Sequence, residues 1–270
     1  MKPFPFLRRV AIALCVLLTV AGECDQARAN ETYTPQIGQA GKDVIWVPTP
    51  QKLIEVMLDM ADVAPSDFVI DLGSGDGCIV IAAAKRGATA FGIEYNPDLV
   101  EFARRAAAKE GVSARATFEK ADIFESDFSK ATVLTLFLTP KINLDLRPKI
   151  LDMKPGTRVL SFDFDMGDWK PDQTRRLKDD SSDMNIAHFW IVPAKVDGTW
   201  QLDDGQITFT QAFQNIAGKV TISKKDGELT GKLTGDKISF TAGGTEYTGT
   251  VSGNMISGTR AGGGSWKATR

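Results

Sequence analysis

Histidine occurs once in these 270 residues, and cysteine and tyrosine three times each. That scarcity removes whole classes of chemistry. No Cys/His cluster has the spacing of a metal site, so no metal is expected. The single His188 stands in the apolar run 186–192, where a strand residue with a satisfied ring is a simpler reading than a general base. Long basic stretches are missing as well. With 32 Lys and Arg against 34 Asp and Glu the net charge is −2, which argues against nucleic acid as a partner. The apolar run 10–21 is shorter than the ~20 residues a membrane-spanning helix needs.

That short run has another use. Lys2, Arg8 and Arg9 precede it, and Ala27-Arg28-Ala29 follows with small residues on either side of the arginine. A basic start, a modest apolar stretch and an A-x-A site describe a secretory signal over residues 1–29. The expected destination is the periplasm or the medium, with no stable membrane span after cleavage. Cleavage there would remove Cys15 and Cys24, leaving Cys78 alone and no internal disulfide to form.

What the chain does have is concentrated in Phe68-Val-Ile-Asp-Leu-Gly-Ser-Gly-Asp-Gly77. An apolar run reads as a buried parallel strand, Asp71 stands at its carboxyl end, and Gly73, Gly75 and Gly77 alternate after it, with Ser74 between the first two. A helix rich in small residues begins at Cys78. Strand, glycine turn and helix N-terminus make a cradle in which backbone N–H groups approach a ligand closely. A nicotinamide dinucleotide site wants G-x-G-x-x-G, and the third glycine position holds Cys78. G-x-G-x-G with an acid two residues upstream suits the methionine part of S-adenosylmethionine instead. A second strand, Thr89-Ala-Phe-Gly-Ile-Glu-Tyr95, ends in Glu94, about twenty residues beyond the glycines. A carboxylate there accepts both ribose hydroxyl hydrogens, because it offers two oxygens and no donor. A third strand from Arg115 runs into Asp122 and Ile123, one to accept from an adenine amino group and the other to pack on the ring. Two further apolar strands follow, 132–138 and 158–164.

Residues from about Trp46 to Pro193 resemble class I S-adenosylmethionine-dependent methyltransferases, and in particular a bacterial group related to the lysine methyltransferases that modify ATP-synthase c subunits. The resemblance rests on Trp46-Val-Pro-Thr-Pro, Asp71-Leu-Gly-Ser-Gly-Asp-Gly, Gly92-Ile-Glu-Tyr-Asn-Pro and Phe137-Leu-Thr-Pro-Lys-Ile-Asn-Leu-Asp-Leu-Arg-Pro. It implies a Rossmann-like α/β fold and S-adenosyl-L-methionine as cofactor. It implies Glu94 at the ribose, Asp122 at the adenine, and Val47-Pro48-Thr49 over the methionine end. It departs at Cys78, where relatives are expected to carry arginine. It also makes protein lysine the leading acceptor, with a small-molecule methyltransferase or a non-catalytic module binding an envelope partner as the alternatives.

Near Pro193 the composition changes. Alternating strands and helices give way to short alternating runs broken by glycine. Thr230-Gly-Lys-Leu-Thr-Gly-Asp-Lys-Ile-Ser is echoed by Thr248-Gly-Thr-Val-Ser-Gly-Asn-Met-Ile-Ser, and each copy carries a two-residue hairpin signal. The expectation is a methyltransferase domain over 30–195 and an antiparallel β-domain over 196–270. Since exposed edges pair promiscuously, about six strands should form a small meander curled into a partial or closed barrel, with a packed core favoured over a ligand in its mouth.

For the acceptor the residues say less. The acceptor end of such a site lies beyond the fourth and fifth strands, which points to Thr139, Pro140, Asn143 and Asp163, with Asp165 on the same face if that strand continues. Paired acids would suit a cationic acceptor such as lysine; solvated loop acids explain them equally well. No side chain identifies itself as the catalytic base.

Overall fold

The computed structural model describes residues 33–177, 185–222 and 225–270. The expected signal at 1–29 lies outside them. No helix among the described residues is long and apolar enough to cross a membrane. The N-terminal half begins with α1 (Gln51–Met60) and β1 (Phe68–Leu72), followed by α2 (Cys78–Lys85), β2 (Thr89–Glu94), α3 (Pro97–Lys109) and β3 (Ala116–Lys120). Then come β4 (Val133–Leu136), α4 (Pro140–Leu151), β5 (Arg158–Phe162), β6 (Gln173–Arg176) and β7 (Ile186–Ile191). The sheet order is β3-β2-β1-β4-β5-β7-β6. Strands β1 to β5 run parallel, while β7 is antiparallel to both β5 and β6. Local chemistry sets the helix starts. Asn96 accepts the Asp98 N–H ahead of Pro97, and Thr139 caps α4 ahead of Pro140. The chain turns outward in opposite directions from β1 and β4, which opens a crevice at their carboxyl ends.

No helix joins β5 to β6; residues 163–172 make that connection with only a Met166–Trp169 bridge. Trp169 and Trp190 are fully buried on this face of the sheet, in one cluster with Leu146, Ile150 and Val159.

The C-terminal part is a closed barrel of eight antiparallel strands rather than about six. They are β8 (Gly198–Leu202), β9 (Gly205–Ala212), β10 (Asn215–Ile222), β11 (Lys225–Thr234), β12 (Lys237–Ala242), β13 (Thr245–Ser252), β14 (Met255–Arg260) and β15 (Ser265–Thr269). The two hairpin signals turn where expected, at Gly235-Asp236 and Gly253-Asn254. The count ran short where a turn carries no such signal. The β9–β10 turn is Phe213-Gln214, with Phe213 held left-handed at φ 55°. The barrel is filled: Trp200, Phe209, Phe240, Tyr247 and Trp266 pack inside it. Sheet and barrel belong to one compact unit, residues 35–270. The barrel's β9–β10 turn supplies much of the join. Phe213 stacks on Trp169 at 6.1 Å, and Gln214 Nε2 donates to the Lys170 carbonyl. Lys232 pairs with Asp172 at 2.8 Å nearby.

Candidate cofactor and acceptor site

At the end of β1 the backbone turns through three left-handed glycines, and two of them are needed for different reasons. A Cβ on Gly75 would stand 2.8 Å from the indole of Trp46, which lies across the turn. Gly77 faces away, where a Cβ would meet Phe118 and Ala103 at 2.7 and 2.8 Å. Gly75 therefore lets the Trp46 indole lie close on the turn, and Gly77 lets α2 pack against β3 and α3.

Glu94 closes β2 and braces the turn. Its carboxylate accepts the Gly75 N–H at 3.0 Å and the Asn96 N–H at 2.8 Å. A carboxylate has about four lone-pair positions, so two remain for the donors of a ligand. Asp122 follows β3; it accepts from Phe124 N–H at 2.9 Å and from Lys42 Nζ at 2.5 Å. The Lys42 contact holds its carboxyl below the ordinary range. Asp71 is the opposite case. It is 3% exposed, and loss of solvent pushes its carboxyl up to about 7, against the pull of a 2.6 Å hydrogen bond from the Thr135 hydroxyl.

These groups surround one cavity of about 330 Å³. Thr49, Asp71, Gly73, Ser74, Gly75, Glu94, Tyr95, Asp122 and Ile123 line it; Gly77, as its packing implies, does not. The donor set fits S-adenosylmethionine. Two acids at the ends of successive strands stand where a ribose and an adenine would need acceptors, and the buried Ser74 Oγ of the glycine turn has no hydrogen-bond partner in the protein.

With Asp122 and Glu94 beyond β3 and β2, the far end of the cavity lies beyond β4. Phe137, Leu138, Thr139, Ile142 and Phe164 form that end together with Trp46. Of the acceptor-side candidates only Thr139 reaches the cavity wall. Pro140 is the first residue of α4. Asn143 is buried and its amide donates to Ser161 Oγ and to the carbonyls of Phe164 and Asp165, so it anchors the loop after β5. Asp163 does not continue a strand: β5 ends at Phe162, and Asp163 turns left-handed at φ 62°. No shared acid face forms with Asp165, whose carboxylate accepts the Gly167 N–H. His188 is a β7 residue bonded to the Thr174 hydroxyl at 3.2 Å, away from the cavity. Burial pushes the Cys78 thiol well above its ordinary range, so it stays protonated.

Residues 40–46 were not anticipated at the site. They belong to a strap, residues 36–47, in which Gly38 and Gln39 pair through the backbone with Trp46, and whose side chains wall the cavity opposite Glu94 and Asp122. Nothing local in the sequence signals it, because Lys42 and Asp122 stand 80 residues apart. Phe137 and Phe164 were equally hidden, as apolar residues at strand ends that read like core.

The sequence profile described as the ANTKMT methyltransferase domain matches residues 71–173. A protein-lysine N-methyltransferase of Saccharolobus islandicus is 40% identical over 151 residues, 55% of this chain and 94% of that protein. The human lysine N-methyltransferase named for the ATP-synthase c subunit is 39% identical over 128 residues, 47% of this chain and 54% of the human protein. Among solved structures, an RNA methyltransferase from Salinibacter ruber in complex with S-adenosyl-L-homocysteine shares 45% identity. That match covers 56% of this chain and 96% of the other, with a TM-score of 0.53.

Proposed function

This chain belongs to the S-adenosylmethionine-dependent methyltransferases of the ANTKMT type, and from that premise we propose that its methyl acceptor is the side-chain amine of a protein lysine. The cavity supports this reading most directly. Its cofactor end is lined by acids and bare backbone, and its far end by Trp46, Phe137 and Phe164. The bound cofactor supplies a methyl group on a positively charged sulfur, already activated for displacement. The chain's own work is to bind, orient and exclude water. Asp71, Gly73, Ser74 and Gly75 hold the methionine portion beside Thr49, Glu94 and Tyr95 the ribose, and Asp122 and Ile123 the adenine. A lysine amine arrives protonated, with a pKa of about 10.4, and attacks only when neutral. An apolar, aromatic entrance favours the neutral amine by denying the ammonium its solvent. Thr139, the N-cap of α4, is a polar group on the wall at that end. The Cys78 thiol is held protonated and does not take the amine's proton; the amine loses it to bulk solvent before it enters the apolar end.

Relatives named as protein-lysine methyltransferases support lysine, and a net charge of −2 argues against an RNA acceptor. Incubating the purified chain with methyl-labelled cofactor and an extract of the producing cells tests this. Label is expected in protein, recovered as methyllysine after hydrolysis. Label in RNA or in small molecules alone would replace this acceptor with another. On the composition of residues 1–29 we also infer export, which fractionation of the cell would test.

A further inference from the structure

The strap differs in kind from the rest of the cavity wall. The glycine turn, Glu94 and Asp122 are mounted on ends of sheet strands, whereas residues 36–47 precede α1 and carry no helix or strand. Within the strap, Gln36 N–H donates to the Gln39 side chain, and Gly38 and Trp46 pair through the backbone. Two side chains tie it to the body across the cavity. Trp46 rests on Gly75. Lys42 at the other end reaches Asp122 at 2.5 Å and sits over the rings of Tyr95 and Phe124, 5.2 and 6.0 Å from their centres. Asp122 and Tyr95 are the groups assigned above to the adenosine half of the cofactor. A lysine that lines the same cavity and holds the same acid therefore spans the adenosine end.

We propose that Lys42 is a positioning residue for the cofactor: its ion pair with Asp122 latches the 36–47 strap over the adenosine half of the cavity and slows release of the bound nucleoside. The proposal rests on the cofactor reading of this site and adds to it a cause for cofactor residence. Adenine need not displace the lysine. One Asp122 oxygen accepts from Lys42 and the other from Phe124 N–H, and each oxygen can take a second donor. The pair is partly exposed, with Lys42 at 37% and Asp122 at 17%, so dissolved salt should loosen it.

The test is the dissociation rate of S-adenosylhomocysteine, chased from the full chain by excess unlabelled ligand. Lys42→Gln should accelerate release about fivefold, the scale of one partly exposed ion pair, and Lys42→Arg should restore slow release. Raising sodium chloride should speed release from the wild-type chain and leave Lys42→Gln unchanged. Limited proteolysis of the ligand-bound protein should cut the strap sooner in Lys42→Gln. Release at the wild-type rate, or slower because the lysine had competed with adenine, would overturn the latch. A wild-type chain that binds no S-adenosylhomocysteine would overturn the cofactor reading itself, a distinct result.

Discussion

Asp71 is almost wholly buried and receives one side-chain hydrogen bond, so its ionised form is poorly solvated and its carboxyl is pushed up to about 7. An unfolded aspartate titrates near 3.9, so the folded chain holds this proton more tightly. The stability that proton contributes is fully present below about pH 3.9 and is lost as pH rises through about 7. Urea midpoints of the ligand-free protein should therefore fall between pH 5 and 8, and Asp71→Asn should flatten that part of the profile. An equal slope in the variant would assign the dependence elsewhere. Glu94 lies one strand away with a different task, since it already holds two backbone N–H groups. Glu94→Ala should weaken S-adenosylmethionine binding by about 1–3 kcal/mol through lost charge-assisted hydrogen bonds. Titration calorimetry checks this, and unchanged affinity would remove Glu94 from the ribose site. Both acids were legible in the sequence because each follows an apolar strand. Their difference in environment was not, since solvent exposure depends on what packs around them.

At the scale of elements, the β5–β6 connection explains why the barrel is attached where it is. Without a crossover helix, residues 163–172 need other cover, and the β9–β10 turn provides part of it. Phe213 stacks on Trp169 and meets the Arg147 guanidinium at 5.4 Å, while Gln214 holds the Lys170 carbonyl. The β5–β6 connection also carries Phe164, at the far end of the cavity. Phe213→Ala should cost about 1–3 kcal/mol of stability, the range for truncating a partly buried aromatic. Its effect on cofactor affinity should be small. Chemical denaturation and calorimetry on one sample separate the two, and an unchanged unfolding midpoint would mean that the turn bears little of the join. The strands flanking that turn alternate visibly in the sequence, but a turn built on a left-handed phenylalanine carries no glycine or asparagine to mark it.

At the scale of the whole molecule, every residue lining the cavity falls between Ala40 and Phe164. A chain cut after residue 195 should thus bind S-adenosylmethionine, yet melt at a lower temperature than the full chain. The cut strands Ala194, which packs in the barrel core, and uncovers Trp169. Failure of the shortened chain to fold at all would mean that sheet and barrel are one domain. The sequence by itself determined the first five strands of the sheet, the glycine turn, the acids at the ends of β2 and β3, and the change to β-structure after Pro193. These are written in local patterns of apolar alternation, turn residues and strand-end acids, each decided within a few residues. Tertiary structure alone decided that eight strands close the barrel, that Asp163 leaves the strand, and that a strap brings Lys42 to Asp122. Closure, packing and an 80-residue contact depend on which surfaces meet once the chain is folded, and no short window of sequence contains both partners.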